Sequence, residues 1–266
     1  MSTHEHGATA VEAVRARLYP EVRAGGFSRF DGAVQFYQRV NALLHGDDVI
    51  LDFGAGRAHW ADPGANEARR KLRDLRGRVK RVIGVDVDDA VLTNPVVSEA
   101  HVIEPSGRIP LDDACVDVIV SDYTFEHVSE PAAVAAELDR VLVPGGWICA
   151  RTPNKWGYIG LGARLVPNER HVGALGRLQP HRKAEDVFPV RYRLNTAGAI
   201  RAAFPGYEHV VYGWSAEPAY AGTSPLAWRA FQVLDAVSPP SLRATFMVFL
   251  RKPSGSAPAG ASSRTP

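Results

Sequence analysis

The chain has 266 residues, 45% of them hydrophobic and 23% charged, which is enough for one good-sized core but not for two full domains. A formal net charge of +2 gives no large positive field, so we expect neither a nucleic-acid partner nor a membrane surface. The two cysteines stand apart without the Cys/His spacing of a zinc site, and no metal is expected. Because the sequence begins without a secretory signal and has no spanning apolar run, we expect a cytoplasmic protein.

One folded domain is predicted over residues 10–252, between two termini that are predicted to be disordered. These are residues 1–9 and the Pro/Ser/Gly/Ala tail 253–266, whose composition cannot bury apolar surface. The domain divides into a helical cap over about 10–45, a core over about 46–151, an insertion over about 152–195, and C-terminal strands with a helix over about 196–252.

Short continuous apolar runs recur along the domain. In chain order they are 49–51, 82–85, 116–120 and 147–150, followed by two later runs at 209–212 and 245–250. Runs of this kind, without strict alternation, are typical of strands that are covered on both faces, and stretches long enough for helices separate most of the first four. The pattern predicts a parallel, doubly wound α/β sheet.

The clearest helix is predicted from about Pro131 to Leu142. Ser129 is its candidate cap, and Pro131 suits the first turn. The run Pro144-Gly145-Gly146 ends the helix and turns the chain into the next strand. A second helix is predicted around Leu226 to Val237.

The segment Asp52-Phe53-Gly54-Ala55-Gly56 directly follows the first apolar run. Glycines let a backbone pass close to a ligand where a Cβ would collide with it, and Asp52 can accept hydrogen bonds from a ligand or from loop amides. Taken alone, the segment is also compatible with an ordinary strand-to-helix turn.

Asp86 ends the next apolar run, thirty residues after Gly56. At the carboxyl end of a neighbouring parallel strand, a carboxylate can accept hydrogen bonds from both hydroxyls of a ribose. The glycine turn and this acid together predict a nucleoside-type cofactor. A dinucleotide fold would want a third glycine where His59 and then Trp60 stand, and these bulky residues argue against a pyrophosphate.

Further motifs follow in a fixed order: 109–113, the Glu-His-Val turn 126–128, and the Arg-Val-Leu-Val-Pro-Gly-Gly run 140–146. With the glycine turn and Asp86, they resemble the class I S-adenosylmethionine-dependent methyltransferase family over about residues 48–152. The segments 151–158, 185–189 and 192–196 look like a bacterial subset of that family whose acceptors are largely unassigned.

The resemblance implies a seven-stranded, mainly parallel Rossmann-like sheet with an antiparallel edge and S-adenosylmethionine across its carboxyl ends. It implies six cofactor-binding residues: Asp52, Gly54, Gly56, Asp86, Val87 and Ser121. Asp86 would hold the ribose, Val87 would lie beside the adenine, and Ser121 would face the sulfonium. In one departure, Pro105 stands where relatives often carry an acid that binds the adenine amine.

His127 and Asp122 are the candidate catalytic residues. Methyl transfer from a sulfonium mainly requires alignment, but an oxygen acceptor can also need a base. An imidazole titrates near neutral pH, and His127 lies just past the fourth strand; a histidine in such a turn can instead brace the following helix. Asp122 could orient an acceptor hydroxyl or simply bind loop amides.

The insertion 152–195 is predicted to be a lid on the acceptor side, because a long irregular segment in a compact domain is usually functional. Its candidate substrate-binding residues are Trp156, Tyr158 and Tyr192, which could form a wall over a flat or sugar-like acceptor or could only pack the lid. The basic run 69–81 is interpreted as a charged helix exterior rather than an RNA-binding face.

The function predicted from these features is methyl transfer from S-adenosylmethionine to a small-molecule or saccharide-like acceptor, with oxygen as the expected methylated atom. Two alternatives stay open: an NAD(P)-type oxidoreductase on the same kind of sheet, and a non-catalytic relative that keeps the fold as a binding module. The acceptor, the methylated atom and the oligomeric state are left open.

Overall fold

Seven strands form one sheet at the centre of the molecule. A computed structural model describes residues 3–158, 189–218 and 221–255, with side chains from residue 10 onward. The strands are β1 Val49–Phe53, β2 Arg81–Asp86, β3 Glu99–Val102, β4 Val116–Asp122, β5 Leu142–Pro153, β6 Glu208–Trp214 and β7 Thr245–Arg251. Their order across the sheet is β3-β2-β1-β4-β5-β7-β6.

The sheet confirms the predicted fold class. Strands β1 to β5 are parallel, whereas β7 is antiparallel to both β5 and β6. The antiparallel strand thus lies one position inside the edge, and β6 is the edge strand. Strand β3 was not predicted, because its four residues are only partly buried and form no continuous apolar run.

Helices cover both faces of the sheet. They are α1 Thr3–Leu18, α2 Gly32–Leu43, α3 Glu67–Arg73, α4 Pro131–Val141, α5 Ala197–Ala203 and α6 Pro225–Val237. On one face, Phe36 and Val40 of α2 pack against the sheet. On the other, Leu138 of α4 and Ile200 of α5 do so. Burying a large apolar side chain stabilises by about 1.5–3 kcal/mol, so both layers fix the sheet and the loops at its ends.

Two predictions at the ends of elements need correction. Helix α1 begins at Thr3, so residues 3–9 are helical in the structure, whereas they were predicted to be disordered. Ser129 does not cap α4: Glu130 holds the cap position without a side-chain hydrogen bond. Pro131 at the first position lacks an N–H, which leaves one donor fewer to satisfy.

Parts of two predicted segments lie outside the described residues. These parts are residues 159–188 of the lid and residues 256–266 of the tail. Residues 253–255 of the tail are described and have no regular structure. No helix in the described part of the chain is both long and apolar enough to cross a membrane.

Candidate functional site

A large cavity opens at the carboxyl ends of the parallel strands. Its volume is about 1020 Å³, and its walls include Gly54, Gly56, Asp86, Val87 and His127. It lies where β2, β1 and β4 meet, the point at which the chain switches from one half of the sheet to the other. Ligands of open α/β sheets bind at such a switch point.

The glycine turn after β1 is fastened to β2. The amides of Gly54 and Ala55 donate to the carbonyl of Val85, at 2.8 and 3.1 Å. Gly54 has a φ of +82°, and a Cβ at this position would lie 2.5 Å from Cγ2 of Thr124. Gly56 has a φ of +49°, but a Cβ here would meet only Asp86 Oδ2, at 3.9 Å. The turn is therefore closely packed at Gly54 and open toward the cavity at Gly56.

Asn94 holds the same turn in place, and it was not among the predicted site residues. Its side-chain amide donates to the carbonyls of Ala55 and Gly56, at 3.1 and 3.0 Å. The side chain is buried, and its carbonyl oxygen accepts from the amide of Val96. A single asparagine thus satisfies two carbonyls of a loop almost forty residues earlier, which no local pattern indicates.

Asp86 is held in one orientation by backbone amides. Its Oδ2 accepts from Gly56 at 3.0 Å and its Oδ1 from Asp88 at 3.1 Å. Since each carboxylate oxygen has two lone-pair sites, both can still accept from a ligand hydroxyl. Val87 beside it is 65% exposed, and Ile103 lies across the cavity. A carboxylate next to exposed apolar surface suits a nucleoside.

The predicted adenine contact remains without an acid. Pro105 lines the cavity together with Ser106, whereas Glu104 does not. The hydroxyl of Ser106 donates to the carboxylate of Glu104 at 3.2 Å. Glu104 can therefore affect this end of the cavity only through Ser106.

Asp52 and Ser121, two of the six predicted cofactor residues, do not line the cavity. Burial raises the pKa of Asp52 to about 7, against the opposing effect of Arg73 and with a contribution from Asp122. The hydroxyl of Ser121 is buried and has no hydrogen-bond partner among the described residues. Direct contact of either residue with a cofactor stays a prediction.

Asp122 is tied into an arginine network, which argues against its predicted role as a group that orients the acceptor. It accepts from Nε and one terminal nitrogen of Arg151, at 2.7 and 2.9 Å, and Arg73 lies 3.2 Å away. Burial would raise the pKa of Asp122, but Arg151 and Arg73 outweigh it and keep the pKa below its usual value. Both oxygens are engaged, and the side chain is not on the cavity wall.

Tyr123 is a cavity residue that the sequence prediction missed. It follows directly after Asp122, has a φ of +61°, and is 40% exposed on the cavity wall. A left-handed backbone costs a non-glycine residue about 1–2 kcal/mol. The guanidinium of Arg151 lies 4.7 Å from the centre of its ring. An exposed aromatic residue just past a strand end was the available signal.

His127 lies on the cavity wall, as the prediction requires. Its Nδ1 is 3.2 Å from the carbonyl oxygen of Pro189. Since a carbonyl only accepts, Nδ1 carries the proton in the neutral ring, and Nε2 carries the lone pair. The backbone amides of Arg191 and Tyr192 donate to the backbone carbonyl of Glu126. Residues 189–192 are therefore anchored over this turn.

The three predicted aromatic residues do not meet at the cavity. Tyr158 contacts Phe231 of α6, with ring centres 5.1 Å apart, and Trp156 is 50% exposed. Tyr192 adopts a φ of +52° beside the Glu126 turn. None of the three lines the cavity, so the predicted wall is not formed by the described part of the lid.

Most of the basic side chains in the run 69–81 form ion pairs within the fold. The pairs are Arg69–Asp31, Lys71–Glu67, Arg73–Asp122, Arg76–Asp74 and Arg81–Glu99. Arg69 and Arg73 turn inward and do not belong to an exterior face, which corrects that interpretation.

Comparison with known proteins identifies the family of the segment that contains this site. Residues 51–150 match the family described as a methyltransferase domain. A probable S-adenosylmethionine-dependent methyltransferase of Mycolicibacterium smegmatis is 36% identical over 122 residues, 45% of this chain and 43% of the relative. Residues 51–150 are a class I S-adenosylmethionine-dependent methyltransferase domain. The chain thus spans less than half the length of that relative.

Two further similarities cover more of this chain. A malonyl-[acyl-carrier protein] O-methyltransferase of Serratia marcescens is 29% identical over 166 residues, 57% of this chain and 61% of the relative. The crystal structure of the [4+2]-cyclase SpnF is similar over 84% of this chain and 82% of that chain, with 18% identity and a TM-score of 0.49.

The cavity of the methyltransferase domain fits the family's cofactor, S-adenosylmethionine. The space in front of Gly56 is clear of protein atoms, which allows a ligand to approach the turn. Asp86 would hold the ribose hydroxyls, and Val87 would contact the adenine. A volume of about 1020 Å³ is at the upper end of the range for small-molecule sites.

Proposed function

We propose that the chain transfers a methyl group from S-adenosylmethionine to an oxygen of a small-molecule or saccharide-like acceptor. The observation that carries this proposal is a single cavity that has Asp86 and Val87 on one wall and His127 on another. One space can thus hold a nucleoside-type cofactor and offer a base to a second molecule.

The protein's main task in this reaction is positioning. When bound, S-adenosylmethionine supplies an electrophilic methyl group with a good leaving group. Holding two reactants in line can contribute about 7–11 kcal/mol to lowering the barrier. Asp86 and the glycine turn would fix the cofactor, and Tyr123 on the same wall would limit where the acceptor can lie.

His127 would accept the proton of the acceptor hydroxyl at Nε2. The hydrogen bond from Nδ1 to Pro189 holds the ring and selects the tautomer that has its lone pair on Nε2. An O-methyltransferase among the relatives, the Serratia marcescens protein, is consistent with oxygen as the acceptor atom.

Calorimetric titration with S-adenosylmethionine tests the cofactor half of the proposal. Asp86→Asn should weaken binding at least tenfold, since two charge-assisted hydrogen bonds of about 1.5–3 kcal/mol each are weakened. Asp89→Asn is the matched control: it removes the same charge from an exposed position three residues away and should bind normally. Equal affinity of the two variants, or tighter binding of NADH than of S-adenosylmethionine, contradicts the proposal.

Turnover across a panel of hydroxyl-bearing metabolites, with a labelled methyl donor, tests the catalytic half. His127→Gln should lower kcat by about 10²–10⁴-fold, the usual contribution of a general base. Its affinity for S-adenosylmethionine should stay unchanged. Should the variant turn over like the wild type, His127 is not the base. Should no panel member be methylated while the cofactor binds, the non-catalytic alternative gains support.

A further inference from the structure

A second, smaller pocket lies beside the cofactor cavity. It has a volume of about 400 Å³ and lies between the start of α2, helix α3 and strand β5. Three arginines line it, Arg69, Arg73 and Arg151, together with the carboxylates of Asp31 and Glu217. The proposed function does not use this pocket.

The carboxylates around the pocket are not divided evenly among its arginines. Asp31 pairs with Arg69, and Glu217 pairs with Arg15 at 2.5 Å. Asp122 alone faces both remaining arginines, Arg73 and Arg151. The two guanidinium groups of Arg73 and Arg151 therefore share one carboxylate. Exposed Glu12 also contacts Arg15, but from the surface.

Donors are left over at the two arginines that share Asp122. Arg151 uses Nε and one terminal nitrogen for Asp122. Its other terminal nitrogen would lie 3.0 Å from a Cβ at Gly32, which is a pocket residue. The Nε of Arg73 is buried without a hydrogen-bond partner among the described residues. A guanidinium has five N–H donors, so both groups can still bind an anion.

The pocket lies beside the cofactor cavity at two places, where a residue of one wall contacts or directly follows a residue of the other. Arg151 lines the pocket, and its guanidinium lies 4.7 Å from the ring centre of Tyr123, which lines the cavity. His59 faces the cavity, and the next residue, Trp60, faces the pocket. A molecule anchored in the pocket can therefore extend toward the cofactor.

We propose that this pocket binds a carboxylate of the methyl acceptor. Two guanidinium groups that share one carboxylate suit a monoanion, and the guanidinium fork matches the geometry of a carboxylate. Phe30 and Trp60 offer apolar contact to the adjoining part of the acceptor. This inference rests on the proposed function and narrows its substrate class to acids.

Phenylacetate is the probe, and its uncharged analogue phenylacetamide is the control ligand. In nitrogen-15 NMR titrations, phenylacetate should shift the amide signals of Gly32 and Ala33, and phenylacetamide should not. Arg73→Gln should weaken phenylacetate binding about tenfold, the loss expected for a charge-assisted hydrogen bond. Arg70→Gln removes the same charge from the same helix outside the pocket and should leave the affinity unchanged.

A second variant keeps every arginine in place. Asn66→Asp adds a negative charge to the pocket wall while preserving a side chain that can cap α3, so it should fold and bind phenylacetate about threefold more weakly. This variant tests the charge argument even if Arg73→Gln fails to fold.

The titrations are repeated with saturating S-adenosylhomocysteine. Unchanged phenylacetate binding supports an acceptor site, whereas competition assigns the pocket to the carboxylate of the cofactor and overturns the inference. Equal binding of acid and amide, or equal effects of Arg73→Gln and Arg70→Gln, also overturns it. If S-adenosylhomocysteine binds and phenylacetate does not, only this inference fails; if S-adenosylhomocysteine itself does not bind, the proposed function fails.

Discussion

Asp52 carries a carboxyl group in an environment that disfavours its charge. Burial raises its pKa from 3.8 to about 7, and the neighbouring Asp122 and Asp86 add to the shift while Arg73 opposes it. Asp122 close by shows the opposite shift because two arginines contact it. Of two acids at neighbouring strand ends, the one with direct arginine partners stays ionised, and the other takes up a proton near neutral pH.

This difference predicts a pH-dependent stability. Because the folded-state pKa of Asp52 lies above its unfolded value, its stabilising effect is complete below about pH 4 and is lost as the pH rises through 7. Between pH 5 and pH 8, the free energy of unfolding of Asp52→Asn should therefore rise by about 2 kcal/mol relative to that of the wild type, because the variant has no such charge. Urea unfolding at the two pH values measures the difference.

Asp47→Asn is the control for this measurement, because Asp47 is exposed and its substitution should change stability equally at both pH values. If the difference in unfolding free energy between the wild type and Asp52→Asn does not change with pH, Asp52 stays ionised throughout.

At the scale of elements, the two glycines of the turn after β1 have separate tasks. Gly54 lies against Thr124 of the β4 loop, whereas Gly56 faces open space. Gly54→Ala should lower the free energy of unfolding by about 3 kcal/mol, through left-handed strain and a clash with Thr124. Gly56→Ala should cost about 1 kcal/mol but should weaken S-adenosylmethionine binding at least tenfold, since its Cβ enters the space proposed for the cofactor.

Urea unfolding and calorimetry on both variants separate stability from binding. Thr124→Ala should recover part of the loss in Gly54→Ala and none of the loss in Gly56→Ala, because only the first clash involves that side chain. Similar effects of the two glycine substitutions on stability and on binding would contradict this division.

The turn also shows how far the sequence could predict the site. Asp86, Gly54 and Gly56 line the cavity, and this position was predictable because all three lie at or just past the ends of apolar strands, and parallel strands end at one edge. Asn94 could not be found in this way. Its two hydrogen bonds reach the turn from a segment whose position depends on the whole β2–β3 connection.

The network around Asp122 was beyond sequence reasoning for the same reason. Its partners come from α3 and β5, and Arg73 was interpreted as part of an exterior basic run. Periodicity assigns a residue to a helix face, but which other element lies over that face is decided by tertiary packing. Strand-end positions were predictable, and side-chain partners from distant elements were not.

At the scale of the whole molecule, the site depends on the sheet order. The loops that follow β1, β2, β3 and β4 form the cavity, so most of its walls come from segments between residues 53 and 137. Pro189 and Arg191 are added from the end of the predicted lid. The walls exist only when the sheet is assembled. A ligand of this cavity should therefore bind the folded chain and not the unfolded one, and it should stabilise the entire domain.

Thermal unfolding with S-adenosylhomocysteine tests this coupling. At a hundred times its Kd the ligand should add about 2.7 kcal/mol, which raises Tm by about 5–10 °C for a domain of this size. Asp86→Asn at the same ligand concentration should show about half of that shift or less, and Asp89→Asn should show all of it. NADH should leave Tm unchanged because His59 and Trp60 stand where the pyrophosphate-binding glycine would be needed. A larger shift with NADH than with S-adenosylhomocysteine would assign the cavity to a dinucleotide.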